Sequence, residues 1–185
     1  EKGLTEVINS DVLEIFNRRP IAPYFILLEG KNNDREVMNG NLAKVSTVSV
    51  SVIDRDVQED ARRVQWNGEG LGIVALSTHN RQVLSDYYQS NSALIFDIKI
   101  NQAPKDKVLV RIGCGPSCNT HVDVTNEFSS IAGAGWKTLS ISLDLFPEVL
   151  TDFGLHRLPH ELFALVIEPF ALVCESELDL VFSNV

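Results

Sequence analysis

The chain has no long apolar run, few cysteines, few histidines and a shortage of basic residues, and each lack removes a class of function. No stretch of about eighteen apolar residues occurs among its 185, so no helix of this sequence spans a bilayer. The first residues, EKGLTEVINSD, have neither a basic n-region nor an apolar core, so no secretory signal is visible. A chain that begins at Glu1 without Met reads as a mature or excised piece. Three cysteines are too few for a disulfide-built scaffold. Cys114 and Cys118, in GCGPSC, are close enough to bridge a turn, although a bond across so short a loop is geometrically demanding. Zinc there would need further ligands, and of the four histidines His121 alone is nearby. Cys174 lies in an apolar run, the setting of a buried, inert thiol. Sixteen Lys and Arg against 25 Asp and Glu leave a net charge of −9, with both signs scattered. No basic patch is available for a phosphate backbone, so nucleic acid is not expected as a partner.

What the chain does have is strand pattern. Val48, Val50 and Val52 alternate with Ser49 and Ser51, the period of a half-buried strand. Val64 and Trp66 resume an apolar face, and Asn67-Gly68-Glu69-Gly70 supplies a tight reversal. Residues 71–76 are apolar on both parities, as in a strand buried on both faces. Further strands are predicted at 24–28, 44–53, 93–100, 107–113, 136–143, 162–167, 170–174 and 178–182. Residues 30–41 and 147–159 read as irregular, and 78–91 as a polar and aromatic connection. After the CGPSCNT loop, Asp123 or Thr125 is placed to cap a single helical turn through Phe128. No amphipathic helix of normal length separates the strands, which excludes parallel crossover units. About ten short strands predict an all-β fold, an antiparallel β-sandwich of the jelly-roll kind. Residues 1–20, polar and closed by Asn17-Arg18-Arg19-Pro20, read as a lead-in segment to one domain over 21–185. At 44% hydrophobic content the chain can bury a substantial core.

One junction concentrates charge. Asp54, Arg55, Asp56, Glu59, Asp60, Arg62 and Arg63 crowd into ten positions ahead of the buried strand. Two of these carboxylates could in principle flank a glycosidic bond. Beside three arginines they are more simply a charge-compensated structural network. In that network Arg62 or Arg63 is expected to clamp one of the four carboxylates with its planar fork. There is no GxSxG, no Ser-His-Asp ordering and no glycine loop opening a helix, so catalysis by this chain alone is not expected.

Taken in order, DRDVQEDARRVQW, GCGPSC, VDVTNEF, GWKTLSISLDLF, EPFAL and LDLVFSNV resemble one accessory domain. It is the C-terminal galactose-binding-like domain of bacterial family 3 glycoside hydrolases of the exo-1,3/1,4-β-glucanase and 1,4-β-D-glucan glucohydrolase type. The resemblance spans 21–185. It implies a galactose-binding-like jelly roll joined to an upstream catalytic domain, in a secreted or periplasmic β-glucosidase or exo-β-glucanase that degrades polysaccharide. Where many relatives have cysteine just before the Phe of GWKTLSISLDLF, this chain has Leu145. A disulfide from that strand to the CGPSC loop is then in doubt, leaving either a Cys114–Cys118 bond or none.

The function implied is non-catalytic carbohydrate binding, in which the domain binds or positions β-glucan or an oligosaccharide. The alternative is a structural domain that packs on the catalytic barrel and grips no sugar of its own. Sugar rings lay their C–H faces on aromatic side chains while amides and charged groups bond the hydroxyls. Trp136 has the parity opposite to Leu139, Ile141 and Leu143, so it points away from the core. Tyr87 and Tyr88 share a polar connection with Asn80 and Arg81. These five are the candidate carbohydrate-binding residues, set against plain packing at a sheet margin. Trp66 shares the parity of Val64 and belongs to the core. No cofactor is expected apart from a structural calcium, which many sandwiches of this class hold. Asp34 and Asp179 could contribute to one, although no loop shows a spaced ligand series.

Overall fold

The computed structural model describes residues 12–88, 91–115, 117–147, 149–150, 156–157 and 159–185. Residues 1–11 of the lead-in, and 148, 151–155 and 158 of the stretch read as irregular, lie outside the described residues. Two short pieces, β1 (Phe16–Asn17) and β2 (Arg19–Pro20), pair with each other at the start. One sheet receives β3 (Phe25–Glu29) and β4 (Arg35–Val37); the other receives β5 (Leu42–Lys44), β6 (Val48–Ile53) and β7 (Ala61–Asn67). The chain then alternates between them. β8 (Gly72–Ser77) joins the first, β9 (Ala93–Gln102) the second, and β10 (Val108–Gly115) with β11 (Cys118–Asp123) the first again. β12 (Trp136–Ser142) joins the second sheet, and β13 (Val149–Leu150) pairs with β14 (His156–Arg157) outside both. β15 (Glu168–Cys174) completes the first sheet and β16 (Glu177–Ser183) the second. Each sheet has six strands, in the orders β11-β10-β15-β8-β3-β4 and β12-β9-β16-β7-β6-β5, and every pairing is antiparallel. This is the all-β sandwich of jelly-roll kind that the alternation predicts.

The period of two explains the core. Val48, Val50, Val64, Trp66, Phe96, Ile98, Leu178 and Leu180 point inward from the second sheet and are buried. Ile26, Leu28, Val74, Leu76, Val108, Val110 and Leu172 answer from the first. Phe170 bridges them, with its ring 5.2 Å from Phe96 and 5.9 Å from Phe182. β8 is buried along its whole length, as its apolar residues on both parities require.

Several details differ from the pattern expected, among them β11, which begins in the stretch read as the CGPSCNT loop, and the β13–β14 pair, which lies in the stretch read as irregular. β4 lies within the stretch read as a loop, because all three of its residues are exposed and leave no apolar period to detect. Residues 162–167 form no strand: α2 (Pro159–Leu162) ends there, and a single bridge joins Val166 to Gln82. Leu162, Phe163 and Val166 are buried in the core, so the run signalled burial and not pairing. The expected single helical turn is the longer α1 (Thr125–Ile131), and the Asp123 carboxylate accepts the Thr125 N–H at 2.9 Å. Of the lead-in, the described residues 12–20 pack on the sandwich, with Ile15 and Phe16 buried in the core and both donating to the Val185 carbonyl.

Candidate functional site: a groove on one sheet face

The outward side chains of the first sheet build a groove of about 490 Å³. On β3, Phe25, Leu27 and Glu29 point out because Ile26 and Leu28 point in. The register sets Leu27 opposite Val37, Glu29 opposite Arg35 and Phe25 opposite Ser77. On the far side, Arg111 lies opposite both His121 and Ala171, and Gly113 opposite both Asn119 and Glu168. The central strands turn only Ala75 and Ala171 outward between Leu27 and Arg111, so the middle of the face is low. The groove is lined from Arg35 and Val37 on one edge strand to Asn119 on the other. Five strand spacings of about 4.8 Å make that crossing roughly 24 Å.

Two local features shape it. His79, in the turn after β8, stacks on Phe25 with ring centroids 4.5 Å apart and planes 32° apart, extending the aromatic surface. β10 bulges at Gly113, where its register shifts against both neighbours. A Cβ at Gly113 would come within 3.3 Å of Glu168 Oε2, so glycine leaves that carboxylate its place.

The groove's charges are paired. Arg111 donates from Nε to Glu168 Oε2 at 2.8 Å and from Nη2 to Oε1 at 2.9 Å, a bidentate fork with side chains 19% and 12% exposed. Arg35 forms an ion pair with Glu29. Burial pushes the Glu168 carboxyl above the usual range, Arg111 pulls it back only in part, and Glu29 adds to the rise. With both carboxylates held by guanidiniums, the groove presents no carboxylate pair free to flank a sugar for cleavage. It offers fixed polar atoms beside an aromatic surface, which is binding chemistry.

The residues singled out in the sequence lie elsewhere. Trp136 does face outward, at the start of edge strand β12, but on the second sheet. The Arg55 guanidinium covers it, 4.1 Å from the ring centroid, while bonding Asp97 at 2.7 Å. Tyr88 packs on Phe163 at 5.0 Å, and burial pushes its hydroxyl pKa up. Tyr87 lines a different cavity of about 460 Å³, with Leu84, Leu94 and Phe163. Asn80 and Arg81 are exposed, and the Asn80 carbonyl accepts from Thr78 Oγ1 and Gln82 Nε2. None of these five residues lines the groove. Sequence reasoning missed Phe25, Glu29, Arg35, His79, Arg111, Asn119 and Glu168. The readable signal was the parity of Arg111, opposite to that of the buried Val108, Val110 and Ile112, since residues 24–28 are apolar on both parities and hide which way Phe25 faces.

The charged junction is organised differently from the expected clamp. Asp60 accepts the N–H groups of Arg55 at 2.6 Å and of Asp56 and Val57 at 3.0 Å, and Asp54 accepts that of Glu59 at 2.6 Å. These carboxylates therefore close their own turn. Arg62 points inward, 7% exposed, over the Phe16 ring and onto the carbonyls of Glu59 and Ala61. Arg63 points outward on the opposite parity and grips Asp179 on β16 through Nε at 3.0 Å and Nη2 at 2.6 Å. Within the segment Arg55 does pair with Asp56, at 3.2 Å, but the network of Asp54, Asp56, Glu59, Asp60, Arg62 and Arg63 is otherwise corrected to a self-capped turn and two arginines that serve other partners. Trp66 is buried, donating to the Gly72 carbonyl at 3.0 Å. Cys114 and Cys118 are disulfide-bonded across the β10–β11 turn, with Cα atoms 5.1 Å apart, and Cys174 is free and buried.

Among the described residues no three His, Cys, Asp or Glu gather as a metal site. Asp34 accepts the Ser46 N–H and hydroxyl, and Asp179 is taken by Arg63. Nor, among the described residues, is any helix long and apolar enough to cross a membrane.

Comparison with known proteins gives the fold its relatives. The family described as Exop_C, galactose-binding domain-like, matches residues 22–185. No curated protein matches. The exo-1,3/1,4-β-glucanase of a Pseudoalteromonas species superposes with a TM-score of 0.67 at 18% identity over 92% of this chain, which spans 19% of that enzyme. The extra C-terminal domain of the same glucanase gives 0.69 at 17% identity, covering 94% of this chain and 90% of that domain. A family 30 carbohydrate binding module gives 0.57 at 16% identity, covering 94% and 95%. At these identities the likeness is one of fold.

Proposed function

The chain belongs to the galactose-binding domain-like family, and from that premise we propose that it is a non-catalytic accessory domain of a larger family 3 glycoside hydrolase. Its groove holds β-glucan or a gluco-oligosaccharide for the catalytic domain of the same polypeptide. The observation that carries this reading is the groove itself, where a Phe25–His79 surface lies beside paired, half-buried charges across one sheet. Sugar C–H faces suit the rings, and hydroxyls, which donate and accept, suit atoms fixed in ion pairs. The shared fold of a glucanase's extra domain and of a carbohydrate binding module supports it. The Cys114–Cys118 bond fits an oxidising compartment, so the parent enzyme is secreted or periplasmic.

Calorimetric titration of the 185-residue chain with laminarihexaose and cellohexaose tests the reading. Binding of at least one is expected, with Phe25→Ala about tenfold weaker, the equivalent of about 1.4 kcal/mol. A folded chain that binds neither overturns it in favour of a structural domain packed on its catalytic partner.

A further inference from the structure

We propose that Glu168 and Glu29 are specificity residues that make the groove reject anionic glycans, because each already occupies the guanidinium that a uronate or sulfate would seek. The inference rests on the groove being a glycan site. Planar, bidentate recognition by arginine is the ordinary way a protein takes a carboxylate. Here Arg111 uses Nε and Nη2 on the two oxygens of Glu168, and Arg35 is paired with Glu29. Both pairs line the same groove.

Two guanidiniums against two carboxylates leave these four groups with no net charge to attract an anion. An incoming uronate would have to displace a built-in carboxylate and leave it buried without its partner, which is strongly unfavourable. A neutral hydroxyl asks for no displacement, since it can bridge to atoms that stay paired. The chain's overall charge of −9 works in the same direction at longer range. Discrimination of this kind comes from a repulsive element built against the wrong ligand.

Removing the carboxylate charge while keeping the side chain's shape should reverse the preference. In Glu168→Gln the amide oxygen still accepts one N–H from Arg111, but the guanidinium charge is no longer cancelled. Titration with tetragalacturonate at low salt is the direct probe. No measurable binding is expected for the wild-type chain. Glu168→Gln should gain affinity at least tenfold above the detection limit, and added salt should weaken that gain. Glu29→Gln is the companion variant, because it frees the exposed Arg35 and does not depend on the more buried pair surviving. Adding Arg111→Met to Glu168→Gln should abolish the gain.

Wild-type binding of tetragalacturonate would overturn the proposal, as would folded Glu168→Gln and Glu29→Gln proteins that both fail to bind it. The glucan reading is judged separately, by the neutral hexaoses on the wild-type chain. A variant that acquires uronate binding in a protein that ignores glucan would sink that reading while upholding the specificity roles.

Discussion

Replacing Asp60 by alanine should loosen the turn that ties three parts of the domain together. Its buried carboxylate takes three backbone N–H groups, from Arg55, Asp56 and Val57, and its carbonyl accepts the Ser183 hydroxyl at 3.0 Å. The turn so formed delivers Arg55 to Asp97 and to the face of Trp136. Hydrogen bonds to a charged group contribute roughly 1.5–3 kcal/mol each. The freed N–H groups lie in an exposed turn and regain water, so the total should be about 3 kcal/mol and not the sum of three. With a urea slope of about 2 kcal/mol/M, the midpoint falls by about 1.5 M. The fluorescence contribution of Trp136 should change as well, because Arg55 is no longer held over it. The pH dependence carries a sign of its own. Burial raises the Asp60 pKa, but the N–H donors of Val57, Arg55 and Asp56 outweigh it and hold the group below its usual value. A lowered folded pKa gives stability that is present above the unfolded value of about 3.9 and lost as pH falls through the folded one. The gap between wild type and Asp60→Ala should therefore be full at pH 7 and narrow below about pH 4. An unchanged urea midpoint at pH 7, or a gap that persists unchanged in acid, refutes the reasoning.

Two further outcomes test the packing. Arg63→Ala should cost about 1 kcal/mol, not the 3–5 kcal/mol of a buried pair, because the Arg63 side chain is 41% exposed. Asp179 also keeps the amides of Gln65 and Asn101, and a urea midpoint shift several times larger would show that those donors do not compensate. Gly72→Ala should cost about 2 kcal/mol, measured by thermal unfolding, since its Cβ would stand 2.7 Å from Cδ1 of the buried Trp66 ring. A wild-type melting temperature would show that the ring moves freely despite its bond to the Gly72 carbonyl.

Local alternation was enough to locate most of the strands and to tell which of their side chains face the core. Alternation at 48–52, 93–100 and 178–182, and apolar residues on both parities at 71–76, are local consequences of a period of two. They placed Trp66 inside and turned Trp136 outward, and the structure agrees on both. The same periodicity was silent about 35–37, where every side chain is exposed, and misleading at 162–167, where burial comes without a sheet partner. Which side chains meet across the fold depends on how the strands pair. Arg63 finds Asp179 116 residues away, and Arg111 finds Glu168 57 residues away, because β7 pairs with β16 and β10 with β15 in one particular register. Of the nearby carboxylates that looked like partners for Arg62 and Arg63, Asp54 and Asp60 were taken by backbone N–H groups of their own turn and Asp56 by Arg55. A groove across six strands joins residues from Phe25 to Glu168, and its shape depends on alanines facing out where neighbours are long. Parity is written in adjacent residues, whereas register and strand order follow from how the two sheets bury their inner faces against each other.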